Sequence, residues 1–238
     1  EKGRAIACLN NLRQAGMAVH IYAGDFEDSF PPNFSSSEPG SWVEGKMTWG
    51  VSTDNTNIQK MLKAALGPYL RNAGVYKCPS DTYPAYFPGA GYLPRCRSIA
   101  LSGFLEGGAY KTQNPGGGSI WYGDWRRYDR FSDVTDPKPT ELWMMVDEHP
   151  DSINDGYFIN RFYSYEWMDL PASFHNGGAN FSFADGHSEF RSWRNPSTKP
   201  PSRPDAAQLP KWVAAGERGD LYWVLSRTSV SAPPEPRT

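Results

Sequence analysis

The stretch from Asn180 to Trp193 leaves this chain the fewest choices. Asn180-Phe181-Ser182-Phe183-Ala184 and His187-Ser188-Glu189-Phe190-Arg191-Ser192-Trp193 flank Asp185-Gly186. Alternating apolar and polar residues on both sides of an Asp-Gly pair predict a β-hairpin. A two-residue type I′ loop needs positive φ at both positions. That loop pairs Ala184 with His187, Phe183 with Ser188 and Phe181 with Phe190, and so gathers the phenylalanines on one apolar face. A sheet is therefore required, and the rest of the chain has to cover it.

The cover is expected from residues 4 to 23. Ala5, Leu9, Leu12, Gly16 and Val19 fall on one helical stripe, with Arg4, Asn11, Arg13 and Gln14 mostly off it. A helix of that length measures about 30 Å. It should stop near Gly24, ahead of Pro31-Pro32. Glu1-Lys2-Gly3 offers no capping side chain, which suits the lower part of a longer helix. Residues 57 to 71 predict a second helix, bent or ended by Pro68, and Val75 to Asp81 a short strand running into a turn. Ser98-Ile99-Ala100-Leu101 is expected to be a short strand, and Leu142-Trp143-Met144-Met145-Val146 a central one. Residues 82 to 125 are expected to be loop-rich, with Gly116-Gly117-Gly118 as a flexible point, and residues 220 to 228 to form a short terminal element before a frayed tail from Ser231.

Composition narrows the function classes. The 238 residues carry 24 Lys+Arg against 26 Asp+Glu, a net charge of −2, which excludes a strongly basic nucleic-acid binder. The 23 glycines and 21 prolines favour short strands and turns over a helical bundle, and the 14% aromatic residues can supply a core. No apolar run reaches the roughly 18 residues of a membrane span. The sequence opens on Glu1-Lys2-Gly3-Arg4 without an initiator Met, so an upstream targeting segment is expected.

Two Asp-x-His triplets carry the chemistry. Asp147-Glu148-His149 and Asp185-Gly186-His187 each end a strand, where residues i and i+2 share a face. His175 and the acidic loop Asp151 to Asp155 are candidates to converge with them. Asp147, Asp151, Asp155, His175 and Asp185 form the candidate metal set. The excess of carboxylates over imidazoles favours Ca²⁺, whereas an Asp/His subset suits Zn²⁺ or Mn²⁺. Ordinary turn and loop chemistry accounts for the same residues without a metal. A metal-dependent hydrolase would draw on Asp147, His149, His175, Asp185 and His187. There is no G-x-S-x-G motif for a serine nucleophile. Cys78 and Cys96 are a candidate disulfide in an oxidising compartment, with three reduced thiols as the equal alternative, and Cys8 on the first helix reads as core. Trp121-Tyr122-Gly123-Asp124-Trp125 resembles a stacking platform for a glycan-binding module, although most of nine Trp must be core. Arg126, Arg127 and Arg130 read as a solvated basic face or an interface with acidic groups.

Several segments resemble one family in order. Cys8-Leu9-Asn10-Asn11-Leu12-Arg13-Gln14, then His20-Ile21-Tyr22 and Phe30-Pro31-Pro32, look like the start of the globular part of a bacterial type IV pilin-like protein. Tyr76-Lys77-Cys78-Pro79-Ser80-Asp81 and the run from Asp147 to Gly156 fit the same family, as does the region of Trp223. His175 followed after nine residues by Asp185-Gly186 looks like the H-x9-DG motif of a prepilin-type domain of unknown function.

The resemblance implies an α+β pilin-like fold, a long N-terminal helix packed on an antiparallel β-sheet with large loop insertions. In it, residues 1–23 are the C-terminal half of the pilin helix, 24–195 the sheet and insertions, and 196–238 a Pro-rich extension with a short terminal element, all in one domain spanning 1–238. The basic leader and apolar half-helix would lie upstream. A non-enzymatic pseudopilin-like subunit of a type II secretion or type IV pilus-like assembly is then expected in the bacterial cell envelope. Its globular part would be periplasmic or extracellular and anchored in the inner membrane before assembly. Its partners would be other pilin-like subunits or secretion machinery, and not nucleic acid. A Ca²⁺ site near the sheet is likewise implied by the resemblance. The insertions at 82–140 and 196–210 depart from the compact pseudopilin pattern and suit a decorated or tip-located subunit.

Overall fold

The computed structural model describes residues 2–114, 117–204 and 209–232. In chain order, helix α1 (Lys2–Asp25) is followed by the short helices α2 (Ile58–Lys63) and α3 (Gly67–Leu70). The hairpin of β1 (Pro84–Phe87) and β2 (Gly91–Pro94) precedes strands β3 (Ile99–Ser102), β4 (Trp143–Asp147), β5 (Tyr157–Phe158) and β6 (Glu166–Trp167). The helical turn α4 (Phe174–Gly177) leads into β7 (Gly178–Phe183) and β8 (Ser188–Ser192), and β9 (Lys211–Trp212) and helix α5 (Gly219–Leu225) follow. The chain is thus α+β, with α1 laid on a five-stranded sheet.

That sheet runs β5-β3-β4-β7-β8, with only the β3–β5 pair parallel. β4 is central and every one of its residues is buried, as its unbroken apolar run requires. α1 buries Cys8, Leu12, Ala15, Val19 and Tyr22 against one face of the sheet, in a core shared with Ile99, Leu101 and Met144. The spacing of those helical residues is one continuous stripe of an α-helix. Burying a Leu or Val of this kind contributes roughly 1.5–3 kcal/mol. The other face packs Ala100, Trp143, Val146, Phe181 and Phe183 against Trp167, Trp193 and the apolar side of α5. β7 therefore turns its aromatics away from α1 and offers it the small polar Asn180 and Ser182. A Cβ on Gly16 would stand 3.1 Å from Ser182 Cβ, so a glycine is what lets α1 approach this strand.

The hairpin exists, in a register one residue from the expected one. Ser182 pairs with Ser188, Phe181 with Glu189 and Asn180 with Phe190. Gly186 adopts φ +92° and is the only positive φ in the loop, and Gly186 N–H donates to the Phe183 carbonyl. This is a three-residue loop whose last position is left-handed, in place of the two-residue type I′ turn. A slip of one residue moves a whole strand face. Phe190 accordingly is 43% exposed rather than stacked on Phe181.

Two further expectations change. The helix over 57–71 is two helices parted at Ala64, and Pro68 stands at the start of the second, where its missing N–H costs nothing. Residues 75–81 form no strand. Ala73–Tyr76 is a 3₁₀ turn, and Cys78 N–H donates to Ser98 Oγ. Gly116 of the expected flexible point, part of the Pro-rich stretch and the tail from Pro233 lie outside the described residues. Among those described, no helix is long and apolar enough to cross a membrane.

Candidate functional site

At the end of the sheet nearest the start of α1, four side chains from distant parts of the chain point at one spot. α1 brings Cys8, the turn after Tyr76 brings Cys78, the last residue of β4 is Asp147, and the turn before β7 brings His175. One ligand-type atom from each lies within 4.8 Å of all the others, and all four residues are buried. Cys8 Sγ donates to Asp147 Oδ1 and Oδ2 at 3.1 and 3.0 Å, and Cys78 Sγ lies 3.2 Å from His175 Nε2.

Each position is set locally. Cys8 falls on the buried stripe of α1. Asn11, one turn on, donates from Nδ2 to the carbonyls of Gly74 and Lys77 and so ties the segment that carries Cys78 to the helix. Ser80 N–H donates to Cys78 Sγ, and Ser80 Oγ lies 3.3 Å from His175 Nδ1, which orients the ring. Asp147 Oδ2 accepts from both the backbone N–H and the Nδ2 of Asn180 at 3.2 Å. His175 has φ +56° and Asn176 φ +67°, two successive left-handed residues before Gly177. Such backbone costs of order 1–3 kcal/mol per residue and persists where the surroundings impose it. Here it aims the imidazole inward.

Burial in a common pocket divides the protons unevenly. The hydrogen bond from Cys8 and then His175 pull the Cys78 thiol down to about 6, against the opposing effect of burial. Burial, and after it the Cys78 charge, push Asp147 up to about 8. Burial also drives the Cys8 thiol upward. A low thiol next to an imidazole is the electronic setting of a nucleophile. With Cys8, Cys78 and Asp147 at 0% exposure and His175 at 5%, however, no substrate reaches it. Convergence of two sulfurs, a nitrogen and an oxygen suits a ligand cage for a metal ion.

The expected metal set is split by the fold. Only Asp147 and His175 meet. Asp151 accepts from Arg203 N–H, Asp155 accepts from Tyr157 N–H, and Asp185 pairs with His187 Nδ1 at 2.6 Å on the hairpin loop. His149 Nε2 sits 3.1 Å from the Pro200 carbonyl, which can only accept, so the ring is protonated there, and burial lowers its basicity. The five residues of the hydrolase set therefore occupy three separate places. The Cys78–Cys96 disulfide is not formed. All three cysteines are free, because Cys78 faces the cluster while Cys96 Sγ turns to the Asp54 carbonyl. The two cysteines were the missed members of the cluster. Cys8 on an amphipathic stripe is indistinguishable in sequence from a core residue, and the Cys78-Pro79-Ser80 turn was the available signal.

Elsewhere, Trp121 is exposed, but Trp125 stacks on Phe162 with centroids 3.4 Å apart. Arg127 is no solvated residue. It is buried and paired with Asp129 and Glu106.

Fold and cluster together define an α+β protein whose N-terminal helix is tied to its sheet through buried thiol, imidazole and carboxylate groups. The family described as "Protein of unknown function (DUF1559)" matches residues 1–137, more than half of the chain, and the chain belongs to it. The matched part contains Cys8 and Cys78. No curated protein and no solved structure matches the chain.

Proposed function

We propose that this chain is the globular part of a pilin-like subunit of the bacterial cell envelope, non-enzymatic and pseudopilin-like, that works in a type II secretion or type IV pilus-like assembly. The observation that carries the reading is the two-faced α1. One face is spent on the sheet. The opposite face holds Ile6, Met17 and Ile21, each roughly half or more exposed, at spacings of three turns and then one. Large apolar groups in line on a helix face want a partner, and the partner proposed is α1 of a second copy or a related subunit. The order of the pilin-like segments, from Cys8 to the H-x9-DG stretch, supports the same reading. The family is associated with pilin-like, prepilin-type proteins.

The complete gene product tests this when expressed in a host with a prepilin peptidase. The expected product is membrane-associated, cleaved upstream of an apolar helix and methylated at its new N-terminus, as read by mass spectrometry. Subunits carrying Met17→Cys are expected to cross-link to one another in the membrane fraction. A gene with no apolar segment ahead of residue 1, or a product confined to the cytosol, would sink the proposal.

A glycan-binding role has one observation in its favour, an open cavity of about 260 Å³ walled by Trp121, Tyr122, Asp155, Arg161 and Asp169. Trp fluorescence titrated with oligosaccharides, in the parent and in Trp121→Ala, reads it. Silence in both removes this alternative.

A further inference from the structure

We propose that Cys8, Cys78, Asp147 and His175 bind one Zn²⁺ ion in a closed tetrahedral site that locks the first turns of α1 to the sheet. The inference stands apart from the envelope role and does not depend on it.

The donor set argues for zinc. Two thiolates, an imidazole and a carboxylate are soft-to-borderline ligands in the number a tetrahedral zinc takes. Calcium asks for six to eight oxygens, and the cluster has one carboxylate. Zinc-to-ligand bonds of about 2.0–2.3 Å place tetrahedral ligands about 3.3–3.8 Å apart. The S···O distances of 3.0 and 3.1 Å and the S···N distance of 3.2 Å are within a few tenths of an ångström of that, and all four atoms lie within 4.8 Å of one another. The cluster needs only a small expansion to admit the ion.

The surroundings are those of a ligand shell. His175 presents Nε2 to the centre while Nδ1 faces Ser80 Oγ, a hydroxyl able to accept the Nδ1 proton of the tautomer a metal needs. Asn180 holds Asp147 through two hydrogen bonds, and Ser80 N–H donates to Cys78 Sγ. The left-handed backbone at His175 and Asn176 carries the ring to the spot where its Nε2 meets the Cys78 thiol. With four protein ligands and no exposed edge, the site has no open position for a substrate and is structural. Binding is balanced by proton release. Each ligating group that still carries a proton gives it to water, so the ion replaces hydrogen bonds that now join Cys8 to Asp147 and Cys78 to His175.

The ion would cross-link segments 139 and 97 residues apart in sequence, Cys8 to Asp147 and Cys78 to His175. Cys8 lies in the second turn of α1, so the helix would be held from its start rather than only along its length.

The test uses the 238-residue chain, reduced and stripped of metal, then titrated with Zn²⁺ and in parallel with Co²⁺. Expected are one zinc per chain and a rise in Tm of roughly 10 °C. Cobalt should give the intense visible bands of a tetrahedral site together with a thiolate-to-cobalt charge-transfer band. Cys8→Ser and His175→Ala should each weaken binding at least about 100-fold, whereas Cys96→Ser should leave it unchanged. Should either ligand variant fail to fold, the parent's cobalt spectrum and the Cys96→Ser control still decide. The proposal is overturned by a reduced chain that takes up no zinc, by a cobalt spectrum without sulfur ligation, or by an equal loss in Cys96→Ser. A Tm raised by Ca²⁺ and not by Zn²⁺ overturns it as well.

Discussion

On one face of the central sheet, Phe181 meets Trp143, Trp193 and Trp223 with ring centroids 5.2–5.9 Å apart. On the other face, the same strand shows α1 only Asn180 and Ser182, with Gly16 drawn close above them. The aromatic face is held by area, which is non-directional and spread over many residues. The helix face has less apolar bulk where β7 crosses it and ends in a cluster of four polar groups whose value depends on geometry. The first kind of cohesion fails gradually when it is thinned. The second is specific, and one side chain can undo it.

Substitutions on the two faces should therefore behave differently, and the largest effect belongs to the aromatic side. Phe181→Ala is expected to lose about 3–5 kcal/mol in urea unfolding, with or without metal. A loss below about 1 kcal/mol would show that the aromatic face is not the main store of stability. Gly16→Val should cost about 1–3 kcal/mol by pushing α1 off Ser182, and should also weaken zinc binding. Unaltered metal affinity in that variant would uncouple helix seating from the cluster.

Glu106 is a buried carboxylate held by protein groups through Oε1, with Oε2 3.8 Å from Arg127 Nε and without a hydrogen bond, and so makes a control for Asp147. It accepts from Ser119 Oγ, Ile120 N–H and Tyr157 OH, and burial pushes it up to about 7. A group raised in the folded state adds stability that is complete below its ordinary value near 4.5 and is lost as pH climbs through 7. The Glu106 contribution to stability should thus fall by about 3 kcal/mol across that window. Glu106→Gln should flatten the fall, and chelator should not change it. Persistence of the full slope in Glu106→Gln would assign it to another group.

Asn180→Ala is expected to cost about 1 kcal/mol and to lower zinc affinity about tenfold, since the backbone N–H still holds Asp147. The smallest effect sharpens the register. Phe190→Thr should change stability by no more than about 0.5 kcal/mol, because Phe190 is substantially exposed. A loss of 3 kcal/mol would instead support the pairing with Phe181 that a two-residue loop demands.

Much of the architecture was open to reading. Period and composition located α1, β3, β4 and the β7–β8 hairpin, because helix and strand patterns are local and the apolar run of Trp143 to Val146 suits only a strand buried on both faces. The turn type was not readable. Asp-Gly fits both a type I′ loop and a longer loop ending on a left-handed glycine, and the choice rests on where β7 must sit beneath α1. Asp147 and His175 were recognisable as candidate ligands by their chemistry. Asp151, Asp155 and Asp185 looked equally good, because nearness along the chain imitates nearness in space.

Local chemistry, then, was enough to specify which residues make helix and strand, which stripe of α1 turns inward, and that a sheet lies beneath it. Tertiary packing alone decided that Cys8 and Cys78 join Asp147 and His175, and that Phe190 faces out. The reason is one of range. Periodicity acts over a few residues through backbone geometry. A ligand cage drawn from four segments exists only once the strands are ordered, the loops are closed and the helix is seated.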